Sequence, residues 1–357
     1  MRRRPTIFDI ARECGVSTTA VSFALNGKPG ISTATRERIL TTARELGWTA
    51  NVAARALSTS HVNAIGLVIT APLTALSRDT FYLQLIAGIE QELADTPVAL
   101  VLKIVDSLED ELTALRTWVA ENRVGAVILV NPRIDDPRPE AVAALGVRAV
   151  FLGDPQGRPE ASFVFVDDAA TMAGLVQDVA ALGYSSLAYL HITSTYKHSQ
   201  ARLDALGGAA AEGIDVRAIL PVTGADDDAT KRAVHAHIDH LAAVGLPDLL
   251  MCEDESLTLA ALDRLEHHGL RVPDDIGLMS WESTPGLERR SPTISSLDRD
   301  PMVLGAAAVE VLRELRRDPT PTRRVIEPPR LVVRDSLRRT SRAAVAGTVG
   351  PGADAAL

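Results

Sequence analysis

The 357 residues include only two cysteines, Cys14 and Cys252, far apart in the chain. Two isolated thiols cannot build a disulfide framework, and both read as reduced core residues. No apolar run approaches the roughly 20 residues that a membrane-spanning helix needs. The chain opens on Arg2-Arg3-Arg4 and a capped helix rather than on a secretory signal. A cytoplasmic protein without a membrane partner is expected. Also lacking are a P-loop, a glycine-rich dinucleotide fingerprint after a strand and a nucleophile elbow. Neither an enzyme activity nor a cofactor is therefore expected.

What is present is ordinary in composition, with 46% apolar and 23% charged residues, but uneven in charge. Residues 1–60 hold nine Lys/Arg and four Asp/Glu, a net of +5, while the whole chain carries −9 and leaves −14 on the remainder. A basic module joined to an acidic body implies that the module alone faces a polyanion. The length suits two or three domains.

Residues 6–26, TIFDIARECGVSTTAVSFALN, hold two apolar-periodic segments that meet at Gly15. The first carries Ile7, Phe8, Ile10, Ala11 and Cys14; the second carries Val16, Ala20, Val21, Ala24 and Leu25. Spacings of three and four give each one buried helical stripe. Thr6, with Asp9 three residues on, caps the first helix, Gly15 ends it, and Ser17 caps the second. So tight a turn forces a steep crossing, the helix-turn-helix arrangement, whose second helix offers Thr18, Thr19, Ser22 and Phe23 to a DNA major groove. A third helix from Ser32 to before Gly47 closes the core with Ile39, Leu40, Ala43 and Leu46. Capped helix pairs also occur in small domains that bind no DNA. The basic arm, the third helix and the charge asymmetry favour DNA here.

These residues closely resemble the lactose-repressor/galactose-repressor family of bacterial transcription factors. The likeness runs through TIFDIARECGVSTTAVSFALNGKPGIS, TRERIL, ARELGW and NVAARALSTS. It implies that Thr18 and Thr19, with Phe23 one turn later, read base edges, while Ser17, Ser22 and Asn26 fix the helix on the backbone. Thr6 joins this DNA-facing set. Phe23 replaces the commoner Arg, so a bidentate guanine contact gives way to an apolar one. Residues 51–60 read alone as a plain alanine-rich linker. The resemblance makes them a hinge helix that folds with its dimer mate in the minor groove, Leu57 wedging a base step beside Ala54 and Arg55.

From Ala64, short apolar strands alternate with amphipathic helices in two successive sets. The pattern implies an all-α helix-turn-helix head followed by an α/β body of two doubly wound parallel-sheet subdomains. The resemblance implies a periplasmic-binding-protein-like body. Its expected boundaries are 1–50 for the head, 51–60 for the hinge and 61–337 for the effector-binding and dimerisation domain. Within the body the N-subdomain takes about 61–162 and 292–324, and the C-subdomain about 163–291 and 325–337. A disordered tail, 338–357, lacks the leucine heptads that make tetramers within the family, so the resemblance implies a homodimer.

Ligands of open parallel sheets bind beyond the carboxyl ends of the strands. That rule selects residues 70–82, Asn131, Gly153 and Asp154, 193–202, Glu253 and Asp254, and Glu282. The resemblance sharpens the set: Asp79, Phe81 and Tyr82 fall where an aromatic packs on a ligand ring, and Arg202 where an arginine forks onto ligand oxygens. Trp281 and Glu282 match a ligand-side pair. Glu253 and Glu282 stand where the sugar-binding members usually carry Asn and Asp. They can pair with Arg202, or they can select a cationic or hydroxyl-dense effector. His235, Asp239 and their neighbours read as a solvated helix face, and no metal site is expected. The sequence thus indicates a dimeric repressor whose grip on double-stranded operator DNA is switched by a small molecule, a sugar or sugar derivative. A solute-binding protein without a DNA role is the alternative.

Overall fold

The computed structural model describes residues 5–25, 28–48, 63–71, 76, 80–153, 160–223 and 227–338. The chain divides into two compact units, residues 1–62 and 63–357. The basic arm, Asn26, the hinge residues Ala54, Arg55 and Leu57, and the tail beyond Arg338 lie outside the described residues.

The first unit contains α1 (Ile7–Cys14), α2 (Thr18–Leu25) and α3 (Thr33–Glu45). The N–H and hydroxyl of Thr6 both donate to the Asp9 carboxylate, at 2.8 and 2.7 Å, and fix the entry to α1. Gly15 ends that helix at φ 61°, in the left-handed region where a β-carbon is disfavoured. Ser17 Oγ accepts from the Ala20 N–H (3.1 Å) and Ser32 Oγ from the Thr35 N–H (3.2 Å), capping α2 and α3. Ile10, Ala11, Cys14, Val21, Ala24, Ile39 and Ala43 form the core. Phe8, Leu40 and Leu46, expected on buried faces, are instead 70%, 38% and 38% exposed. Leu40 lies one residue, about 100°, around the helix from Ile39, and Phe8 lies two residues, about 160°, from Ile10, so both point away from stripes already filled by Ile39 and Ala43 or by Ile10 and Cys14. Leu46 follows the last helical turn.

The second unit is built on two six-stranded sheets. One comprises β1 (Ala64–Thr70), β2 (Ala99–Val105), β3 (Ala126–Val130), β4 (Arg148–Leu152), β5 (Ser162–Val166) and β11 (Arg323–Ile326), in the order β11-β5-β4-β3-β1-β2. All its pairs are parallel. The other comprises β6 (Ser186–Ile192), β7 (Asp215–Val222), β8 (Leu249–Cys252), β9 (Gly277–Ser280), β10 (Ser295–Leu297) and β12 (Leu331–Val332), in the order β12-β10-β9-β8-β6-β7. Only β12 runs antiparallel to its neighbour.

The helices α4 (Thr80–Leu93), α5 (Leu108–Ala120), α6 (Arg138–Leu145) and α12 (Pro301–Arg317) belong to the first lobe. The second lobe holds α7 (Asp168–Ala181), α8 (Lys197–Leu206), α9 (Asp227–Val244), α10 (Glu255–His267) and the single turn α11 (Pro285–Glu288). Alternate strand residues serve opposite cores. Ile65, Leu67 and Ile69 pack with residues of α4 and α12, and Val68 packs with Leu115 and Trp118 of α5. The α4–α12 contact is close enough to require glycine. A β-carbon on Gly88 would fall 2.0 Å from the Met302 carbonyl oxygen, and one on Gly305 2.3 Å from that of Leu85.

The chain passes between sheets after Val166, Leu297 and Ile326, whereas the sequence placed these crossings near 163, 291 and 325. SFVFV completes a strand paired with β4 and β11 before leaving the first sheet. Strand β10 is only Ser-Ser-Leu, too short and polar to announce itself by pattern. Among the described residues no helix is long and apolar enough to cross a membrane.

Candidate functional site

The carboxyl ends of the strands from both sheets open on one cleft of about 670 Å³. Thr70, Asn131, Gly153 and Val166 line it from the first lobe, and Ile192, Val222, Glu253 and Glu282 from the second, as expected for open parallel sheets. Phe81 and Tyr82, at the start of α4, meet edge to face with centroids 5.4 Å apart. The Asn131 carboxamide donates to the Tyr82 hydroxyl at 2.8 Å. Asn131 itself is left-handed, φ 52°, a conformation Asn tolerates.

Behind Asn131 lies a buried ionic cluster. Arg138 donates to Asp136 (2.7 Å), Glu111 (2.9 Å) and the carbonyls of Val130 and Asn131 (2.8 and 2.9 Å). Glu111 also accepts from the Thr70 hydroxyl at 2.6 Å. Arg138 and Glu111 are each 1% exposed, so every charge here depends on these partners. Burial alone would raise the Asp136 carboxyl; hydrogen bonds and charge from Arg138 hold it below the usual range.

In the second lobe, Arg202 is committed to protein partners. Its Nε and Nη2 reach Asp168 Oδ1 at 2.8 and 2.7 Å, and Nη1 reaches Glu253 Oε1 at 3.0 Å. The guanidinium lies 4.1 Å from the Trp281 ring centroid. Glu253 is equally occupied: Oε2 accepts from the Ile192 N–H (2.7 Å) and Oε1 also from the Ser199 hydroxyl (3.2 Å). Of the two readings left open for Glu253, the ion pair with Arg202 is the one realised. Glu282 does not share Arg202; its Oε1 stands 4.0 Å from Arg299 Nη1. Burial would raise the Asp168 carboxyl, but Arg202, with Arg299 and His198, holds it low.

Trp281, expected to face the ligand, is 2% exposed and does not line the cleft. Arg202 covers the ring, so the indole supports the arginine instead of the cavity. Phe81, Tyr82, Asn131, Arg202, Glu253 and Glu282 do line the cleft; Asp79 and Asp154 lie outside the described residues. Asp168 and Arg299 also line the cleft and were not selected from sequence, while Tyr196 and His198 were selected only as part of a segment. Tyr196 and His198 belong to the 193–202 segment, where Arg202 carried the stronger signal. Asp168 sits beside the capping Asp167, which accepts from the Ala170 N–H at 2.9 Å, and reads as part of a helix start. Arg299 comes from an interlobe crossing with no local pattern; its guanidinium is 5.6 Å from the Phe81 centroid. Burial, helped by the positive charge of Arg202, pushes the His198 imidazole down to about 3, so the ring is neutral at physiological pH.

On the first unit, Ser17 and Thr19 are exposed at the start of α2, and Thr18 and Ser22 are partly so. Phe23 is half-buried: its ring lies 3.4 Å from where a β-carbon on Gly30 would stand. On α9 the Asp239 carboxylate accepts from Arg264 (2.6 and 2.7 Å) and contacts His268 (2.6 Å).

Residues 6–51 match the model for bacterial regulatory proteins of the lacI family, and residues 176–337 match a periplasmic binding protein-like domain. The transcriptional regulator RafR of Escherichia coli is 31% identical over 254 residues, covering 70% of this chain and 72% of its own. The chain belongs to the LacI family. It is a DNA-binding transcriptional regulator, in keeping with the regulators it resembles. The HTH-type transcriptional regulator CelR of Thermobifida fusca is 28% identical over 344 residues, covering 94% of this chain and 99% of its own. A solved CelR–cellobiose complex superposes with a TM-score of 0.68 at 25% identity, covering 93% of this chain and all of that one. The lac repressor dimer bound to operator shares the fold, with a TM-score of 0.78 at 21% identity over 94% of this chain and 99% of that one.

Proposed function

We propose that this LacI-family regulator is a dimeric cytoplasmic repressor released from or fixed on its operator by a neutral, hydroxyl-rich effector, a sugar or sugar derivative, bound between the lobes. The observation that carries the effector class is the pairing of the cleft's charges. Arg202 pairs with both Asp168 and Glu253, and Arg299 faces Glu282. A cationic ligand would have to compete with these arginines for their carboxylates. Hydroxyl groups can add to the same network without breaking it, because they both donate and accept. Phe81, Leu76, Ile192 and Leu259 supply apolar surface among the polar groups, the usual make-up of a small-molecule site. The relative crystallised with cellobiose supports a carbohydrate.

On the DNA side, Thr18 and Thr19 read base edges in the major groove and Ser17, Ser22, Asn26 and Thr6 hold the helix on the backbone, with Phe23 making an apolar contact. Paired hinges, residues 51–60, insert Leu57 at the central step beside Ala54 and Arg55. The ligand need bind one lobe arrangement only about 1–3 kcal/mol better than the other to change operator occupancy roughly 5- to 150-fold.

The test is an electrophoretic shift on the protein's own upstream region over a salt series, repeated with cellobiose, other neutral sugars and amino sugars. Affinity should fall steeply with salt, since neutralised phosphates release counterions, and a neutral sugar should shift it. Salt-independent binding would refute the DNA reading. A response to amino sugars alone would refute the effector class.

A further inference from the structure

The loop after β3 does more than present Asn131. It crosses to the other lobe and pairs with the segment before α8 in a two-residue antiparallel bridge. The Ile134 N–H donates to the Thr195 carbonyl and the Lys197 N–H to the Pro132 carbonyl, both at 2.9 Å. Between these two bonds the Arg133 guanidinium lies 5.2 Å from the Tyr196 ring centroid. Tyr196 in turn stacks on His198, with centroids 5.4 Å apart and planes 25° from parallel. The three side chains form a continuous stack that begins in the first lobe and ends on the cleft wall of the second.

The first-lobe half of this bridge is rigidly held. The Asp136 carboxylate accepts from the Arg133 N–H and from the Arg138 N–H, both at 3.0 Å, and is anchored by the buried Arg138 side chain. The second-lobe half is less tied down. The Tyr196 N–H makes a long 3.4 Å contact to Ser194 Oγ, and the Tyr196 ring stacks on His198, which stands beside Arg202, Asp168 and Arg299. Arg133 Nε is buried without a hydrogen-bond partner among the described residues. That leaves the face of the guanidinium on Tyr196 as the contact that favours its placement.

We propose that Arg133 is a positioning residue for the cleft: reaching from one lobe, it clamps Tyr196 and through it His198 on the wall of the other, and so sets the lobe separation at which a ligand is held. The name effector for that ligand rests on the function proposed above, but the clamp itself does not. A cation–aromatic stack and two backbone hydrogen bonds are individually weak, so the bridge can be made and broken without unfolding either lobe. The buried Glu111–Arg138–Asp136 cluster supplies the fixed side of this clamp.

The experiment measures lobe separation in the absence of any ligand. Nitroxide labels on Glu109→Cys of α5 and Arg232→Cys of α9, both exposed positions on opposite lobes, report the distance by pulsed electron resonance in full-length protein diluted with unlabelled chains. The native Cys14 and Cys252 are buried. Arg133→Ala and Tyr196→Ala should each lengthen the mean distance and broaden its distribution. The double variant should do no more than either single one, since both remove the same interaction. Arg133→Lys, which keeps a cation over the ring, should retain most of the narrow distribution. Unchanged distances in Arg133→Ala and Tyr196→Ala would overturn the proposal, as would a change in one that the other fails to reproduce. Failure of every sugar to bind would count against the effector reading and leave these distances untouched.

Discussion

Arg202 lies flat on Trp281, its guanidinium carbon 4.1 Å from the ring centroid, while its edge is taken by Asp168 and Glu253. A stacked face and a fully paired edge orient the guanidinium in every direction before any ligand arrives. The second-lobe half of the cleft is thus preorganised around one buried cation.

Removing that cation strands two carboxylates. Arg202→Met should destabilise the second unit by about 3–5 kcal/mol, the cost of leaving partly buried charges without their partner. Urea denaturation followed by circular dichroism measures it. Arg202→Lys should recover only part of the loss, because an ammonium cannot fork onto Asp168 and reach Glu253 together. A loss below about 1 kcal/mol for the Met variant would show that solvent already screens the pair.

The neutral His198 makes stability depend on pH. Its folded value of about 3 lies below the roughly 6.5 of an unfolded histidine. Between those values the unfolded chain binds the extra proton, so stability is complete above about pH 6.5 and is lost progressively as pH falls toward 3. The slope contributed by this one group is at most about 1.4 kcal/mol per pH unit. Melting curves between pH 7 and 5 should fall for the natural chain and flatten for His198→Asn. Parallel curves would mean that the ring is protonated in the fold.

Gly88→Ala tests the helix pair that closes the first lobe. The added methyl would meet the Met302 carbonyl oxygen at 2.0 Å, a backbone atom that cannot swing aside. Overpacking of this kind costs about 1–3 kcal/mol or more. Thermal unfolding should show a lower midpoint, while Gly174→Ala, on α7 with open space around the new carbon, should stay stable.

At the DNA end, Thr18→Ala and Thr19→Ala should reduce the ratio of specific to non-specific affinity and leave the salt slope nearly unchanged. Ser17→Ala should lower the stability of the first unit by about 1 kcal/mol through loss of the α2 cap. Leu57→Ala should weaken operator binding far more than binding to random duplex. Fluorescence anisotropy on matched duplexes separates these outcomes. Equal losses on both duplexes would refute the assignment of Leu57 as a wedge.

Helix-turn-helix geometry was legible because its determinants are local. Thr6, Gly15, Ser17 and Ser32 act within a few residues of where they stand, and a cap or a left-handed turn needs no distant partner. The alternation of apolar strands with helices likewise announced two parallel sheets, and the strand-end rule named the loops that form the cleft. Phe8 and Leu40 misled because an apolar residue outside a buried stripe has the same composition signal as one within it.

The residue types themselves determined a basic helical head, a doubly wound body and the strand ends that meet between the lobes. Which side chains face the cavity was decided by the tertiary structure. Asp168 is brought to Arg202 from 34 positions away, Glu253 from 51, and Glu111 to Arg138 from 27; Arg299 arrives on a crossing strand of chain, and Arg133 reaches Tyr196 from the opposite lobe. Charge pairing and stacking act over a few ångströms of space whatever the separation along the chain, so no local pattern records them. Trp281 beneath Arg202 shows the consequence: its position near the cleft followed from the strand it comes after, and its concealment followed from a partner that only folding supplies.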